Sequence, residues 1–138
     1  MNTVTIETKN FKRRKNTYGW KKDPVSPNHF CKVVVAPNLG VLPIPDGFRP
    51  YLGQVPGEIK LKTNTDCVWS IQLNKFNGRA CLDQGWAPFA SSHNIGLGYN
   101  LLFEKLGPME FRVIIFDNTG CEIVRECPPH PMNLTRDD

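Results

Sequence analysis

The sequence has no apolar run near the roughly 20 residues that a membrane-spanning helix needs. Its first residues, Met1 to Lys9, carry no apolar segment of the kind that directs secretion. A cytosolic or nuclear protein is expected, and the Asn133-Leu134-Thr135 match to a glycosylation acceptor is read as chance. No stretch holds a helical period long enough for a recognition helix, which disfavours helix-turn-helix and basic-zipper architectures. The usual signatures of catalysis are missing as well. There is no Gly-x-Ser-x-Gly elbow, no His-Glu-x-x-His pair and no phosphate-cradling Gly-x-x-x-x-Gly-Lys loop. Gly96-Leu97-Gly98 is too short for a dinucleotide fingerprint, and His29, His93 and His130 are scattered. An enzyme is not expected.

Cysteine is present but unpatterned. Cys31, Cys67, Cys81, Cys121 and Cys127 are odd in number, and their spacing resembles no disulfide framework, so reduced thiols are expected. Cys121, Cys127 and His130 are the best metal candidates, yet they lack the tight Cys-x-x-Cys pair of structural zinc sites. No metal or other cofactor is expected.

Most of the chain also lacks excess positive charge. Residues 1–28 hold Lys9, Lys12, Arg13, Arg14, Lys15, Lys21 and Lys22 against Glu7 and Asp23, a balance of +5. The remainder carries ten basic and eleven acidic side chains. All the excess therefore lies in the leading segment, a pattern that suits a polyanion partner, nuclear import or both.

What the sequence does have is strands. Cys31-Lys32-Val33-Val34-Val35 is a β-branched run that Pro37 stops. Glu58 to Lys62 and Cys67 to Asn74 alternate with period two: Ile59 and Leu61 share one face, and Cys67, Trp69, Ile71 and Leu73 share another. Asn64-Thr65-Asp66 reads as a hairpin turn between them, and Asn77-Gly78 as a tight turn after Phe76 with Ala80-Cys81-Leu82 returning. Leu101–Lys105 and Phe111–Phe116 form a further hairpin turning at Gly107-Pro108, and Asp117 to Gly120 ends it. Asp46 is the expected N-cap of a one- or two-turn helix, and Pro88 to His93 permits a second short helix. Trp69, Trp86, Phe89, Phe103 and Phe111 read as core, while Phe76 is ambiguous between an exposed tip and a packed one. About seven short strands with two short helices suggest a barrel or a sandwich. The expected organisation is a flexible basic tail at 1–28, one all-β domain at 29–127 and a polar tail at 128–138.

The ordered set of apolar and turn residues carries a resemblance. It comprises Phe30-Cys31-Lys32-Val33-Val34, Leu42-Pro43-Ile44-Pro45-x-x-Phe48 and Val68-Trp69-x-Ile71-x-Leu73. It continues with Gly85-Trp86-x-x-Phe89, Gly98-x-x-Leu101-x-Phe103 and Phe111-x-Val113-x-Ile115-Phe116-Asp117-x-x-Gly120-Cys121-Glu122. In order and spacing it resembles the plant B3 DNA-binding domain, particularly the reproductive-meristem branch. The resemblance implies an open seven-stranded pseudobarrel with two short helices. It also implies two loops acting as arms in the DNA major groove, here residues 36–41 and 74–79. Two positions depart from the family pattern: Tyr99 stands where the family usually has Asp, and the first arm contains no Lys or Arg.

The expected function is sequence-specific binding of double-stranded DNA, as a nuclear module of a plant transcription regulator. The alternative is a protein-interaction domain on the same barrel with little DNA affinity. Lys75, Asn77 and Arg79, with Asn74 beside them, are the expected base-edge or groove contacts, since Arg pairs bidentately with guanine and Asn with adenine. Lys32, Lys60 and Lys62 are candidates for phosphates, and Asn38 is the only polar reader in the first arm. Lys12, Arg13, Arg14, Lys15, Lys21 and Lys22 are assigned to phosphates and nuclear targeting.

Overall fold

A computed structural model describes residues 26–35 and 40–127. The basic cluster from Lys12 to Lys22, Asn38, His130 and the segment from 128 onward lie outside the described residues. The described chain forms β1 (His29–Val33), β2 (Leu42–Pro43), a 3-10 helix η1 (Asp46–Tyr51), β3 (Gly57–Thr63), β4 (Val68–Phe76) and β5 (Arg79–Leu82). These are followed by helix α1 (Trp86–Ser92), β6 (Asn100–Gly107), β7 (Glu110–Phe116) and β8 (Glu122–Ile123). None of the helices among the described residues is long and apolar enough to cross a membrane.

The strands make one sheet in the order β1-β6-β7-β3-β4-β5-β2, with β8 added to β7. All neighbouring pairs are antiparallel except β3 and β7. β1 and β2 stand at the two ends of this path, so the barrel is open. The sheet nevertheless curls far enough that both ends line one cleft of about 140 Å³, with Lys32 and Val33 on one side, Leu42 and Pro43 on the other, and Trp86 among the residues lining it. Seven strands on the path, an open seam and two short helices agree with the expected pseudobarrel.

Period-two alternation fixes which side chains face the interior. On β3 and β4, Ile59, Leu61, Trp69, Ile71 and Leu73 are buried and point inward. Cross-strand partners share a face, and Ile59 pairs with Ile71 and Leu61 with Trp69, so the apolar phases of the two strands meet. The expected turns are in place, with Asp66 at φ 62° closing the β3–β4 hairpin. Each helix gathers a set of rings. Phe48 of η1 packs against Phe30 and Phe111, and Phe30 stacks on Phe103. Phe89 of α1 packs against Trp69 and Trp86.

Three local expectations change. Asp46 is not the cap of η1: Pro45 holds that position without a side-chain cap bond, and Asp46 is the first helical residue. Helix α1 begins at Trp86, two residues before Pro88. Pro88 fits there because first-turn N–H groups have no intrahelical acceptor. The Asp117 turn ends the β6–β7 hairpin as expected. Asp117 Oδ1 accepts hydrogen bonds from the Thr119 and Cys121 N–H groups, which turns the chain back into β8. Lastly, Cys67 is joined to Cys127 in a disulfide rather than held as a free thiol. The return through β8 brings Arg125 to the β3–β4 turn, where its carbonyl accepts from Thr65 Oγ1, and so carries Cys127 to Cys67 from 60 residues away. Cys31, Cys81 and Cys121 are free.

Candidate nucleic-acid interface

The β4–β5 hairpin turns on two residues. Asn77 and Gly78 both have positive φ, at 52° and 79°, which is the backbone of a type I′ turn and matches the twist of the flanking strands. Phe76 pairs with Arg79 across the tip, and Lys75 pairs with Ala80. Side chains alternate along a strand, so Lys75 and Arg79 lie on opposite faces of a narrow ribbon. Lys75, Phe76, Asn77, Gly78 and Arg79 are all exposed. Phe76, ambiguous in sequence, is 44% exposed and shares a face with Arg79.

The neighbours of the tip come from β2 and η1. Pro43 pairs with Cys81, and the Ile44 N–H donates to the Ala80 carbonyl at 2.9 Å. The chain then reaches η1 with Asp46 beside the tip, and Asp46 Oδ1 lies 3.4 Å from Arg79 Nε. Asn74 is also engaged: its Nδ2 donates to Asp83 Oδ2 at 2.8 Å. Cys81 lies between these groups and is buried. Burial pushes its thiol above the ordinary value, against the opposing effect of Arg79, while Asp83 raises it and Lys32 lowers it. Lys32, on β1 at the other end of the sheet path, lines the same cleft as Pro43, the β2 partner of Cys81.

Other candidates lie elsewhere. Lys60 and Lys62 are on β3, separated from β5 by β4. Lys60 Nζ sits 3.9 Å from Glu58, and Lys62 Nζ 3.6 Å from Glu110, so both belong to a mixed-charge face. Asn38 and the basic cluster are outside the described residues. Tyr99 is half-buried, and the loop around it is held by backbone bonds: the Val34 N–H donates to the Tyr99 carbonyl at 2.8 Å and the Gly98 N–H to the Val34 carbonyl at 2.7 Å. Of the metal candidates, Cys127 is in the disulfide, and no group of three or more potential ligands occurs among the described residues. The residue that sequence reasoning missed at the tip is Asp46. In sequence it reads as the cap of a short helix, and only the β2–β5 register reveals its partner.

Residues 30–119 match the family model described as B3 DNA binding domain. A B3 domain-containing protein of Oryza sativa subsp. japonica is 37% identical over 86 residues, covering 62% of this chain and 28% of that protein. One from Arabidopsis thaliana is 33% identical over 124 residues, covering 85% of this chain and 65% of that protein. The Arabidopsis B3 domain-containing protein REM20 is 32% identical over 100 residues, covering 72% and 35%. The chain thus spans less than two thirds of the length of each of these relatives. The solved structure of a hypothetical Arabidopsis thaliana protein matches with a TM-score of 0.58 at 26% identity, covering 67% of this chain and 93% of that one.

Proposed function

The chain belongs to the B3 DNA-binding domain family, and we propose that it binds double-stranded DNA sequence-specifically, as a nuclear module of a plant transcription regulator. That family is one of DNA-binding domains, not of enzymes. In this reading residues 29–127 are the binding unit, flanked by the basic segment 1–28 and the polar segment 128–138. The second arm enters the major groove, which at about 12 Å is wide enough for a two-stranded ribbon. Arg79 reads a base edge, because its planar fork matches guanine, whereas Lys75 is a mobile point charge suited to phosphate. Asn77 at the tip and Asn74 beneath it are the neighbouring polar contacts. Lys32 contributes to phosphate contacts across the seam, Lys60 and Lys62 do so from their own face, and Asn38 serves the first arm.

The observation that carries this reading is the two-residue tip with Lys75 and Arg79 on opposite faces. The test begins with sites selected from a random duplex pool. Arg79→Ala is expected to cost about 1–3 kcal/mol on the selected site and to relax selectivity at one base position. Lys75→Ala should weaken all duplexes alike, mostly at low salt. If Arg79→Ala binds the selected site and its single-base variants as the parent does, the base-reading role is lost.

A second reading is a protein-interaction domain on the same barrel. It is favoured by the flank of the first arm, where Val33 and Val35 are 52% and 75% exposed. A gel shift with random duplex at low salt separates the two, because an interaction domain gives no shift.

A further inference from the structure

We propose that Asp46 is a positioning and specificity residue for DNA reading: its carboxylate holds Arg79 for base contact and repels phosphate at that point. The inference rests on the base-reading role of Arg79 proposed above. Its first support is geometric. The β2–β5 pairing and the bond from the Ile44 N–H to the Ala80 carbonyl fix where η1 begins, so the backbone sets Asp46 beside Arg79. The contact is made through Nε at 3.4 Å, which leaves the N–H groups of Nη1 and Nη2 for another acceptor. The pair is an exposed ion pair rather than a hydrogen bond, and it biases the guanidinium toward the η1 side of the tip.

The second support is what Asp46 does not do. It makes no cap bond to η1, and its side chain is 79% exposed, so its part in η1 is at most the weak attraction of a first-turn carboxylate to the helix dipole. An exposed ion pair of this kind adds little to folding stability. Next to a bound polyanion, the same carboxylate penalises every arrangement in which a phosphate approaches the Arg79 guanidinium. A neutral base edge suffers no such repulsion. Discrimination then comes partly from the wrong complexes being made worse.

The test compares the parent with Asp46→Asn, Asp46→Glu, Arg79→Ala and the double variant Asp46→Asn/Arg79→Ala. Affinity is measured for the selected duplex and for an unrelated duplex at one salt concentration, with thermal unfolding checked in each. Asp46→Asn is expected to unfold as the parent does and to bind the unrelated duplex at least about twofold more tightly. The ratio of selected to unrelated affinity should fall about two- to fivefold, the range that one exposed ion pair supports. Asp46→Glu should restore most of that ratio, and adding Asp46→Asn to Arg79→Ala should lower it no further. A parent-like ratio in Asp46→Asn, with Arg79→Ala still lowering it, overturns the positioning role alone. A parent-like ratio in Arg79→Ala overturns the base-reading role and the inference together. Weaker binding of the unrelated duplex by Asp46→Asn also overturns the inference, because it reverses the expected sign.

Discussion

Trp69 is held from several directions. Its Nε1–H donates to Cys67 Sγ at 3.1 Å, and the rings of Phe89 and His93 meet it edge-on at centroid distances of 5.4 and 5.5 Å. Truncating a buried Trp typically costs about 3–5 kcal/mol, a large part of the roughly 5–15 kcal/mol that holds a domain together. Trp69→Ala is therefore expected to lower the urea midpoint sharply, and an unchanged midpoint would refute the strand phase. His93 behaves differently, because it is titratable and only 4% exposed. Burial pushes its pKa below the ordinary 6.5, while its bond to the Phe89 carbonyl raises it and the Arg125 charge lowers it. Above 6.5 the ring is neutral in both folded and unfolded chains. As pH falls below that value the unfolded chain takes up a proton first, so stability declines toward the depressed folded pKa. The denaturant midpoint should therefore drop as the pH falls through the ordinary value of 6.5. His93→Phe should show a smaller drop, and parallel pH profiles would refute the effect.

Among the elements, the β4–β5 tip and the start of α1 both need glycine, for different reasons. Gly78 has φ +79° with open space around it, so Gly78→Ala meets only the left-handed backbone penalty of about 1–2 kcal/mol. Gly85 has φ +96°, and a Cβ there would lie 2.7 Å from the Ser70 carbonyl oxygen. Gly85→Ala is thus expected to destabilise the protein more than Gly78→Ala, and urea unfolding of the two variants checks the order. Gly78→Ala should also weaken DNA binding by disturbing the pair Phe76–Arg79.

Across the whole molecule, charge is divided from architecture. The barrel carries a balance near neutral, and the basic excess lies in residues 1–28. If that segment neutralises phosphates, each contact contributes about 0.9 to the slope of log K against log salt. Deleting residues 1–22 should then weaken binding to every duplex and flatten the salt dependence, while the preferred site stays the same. Titrations at several salt concentrations test this, and an unchanged slope would leave the segment without a role in binding.

Much of this was legible in the chain. Alternation over 58–62 and 67–74 set the strand phases, because a half-buried strand needs period two. Asn77-Gly78 announced the tip, since few residue pairs accept positive φ twice. The ordered motif from Phe30 to Glu122 carried the family and the open barrel. What the sequence left open depends on contacts between distant segments. The disulfide spans 60 residues and exists because β8 turns the chain back toward the β3–β4 hairpin. Lys32 and Pro43, on strands at opposite ends of the sheet path, line one cleft only because the sheet curls. Asp46 meets Arg79 through the β2–β5 register, 33 positions away in numbering yet 3.4 Å apart in space. Local patterning fixes φ, ψ and which face is apolar, whereas curl and register settle which polar side chains become neighbours.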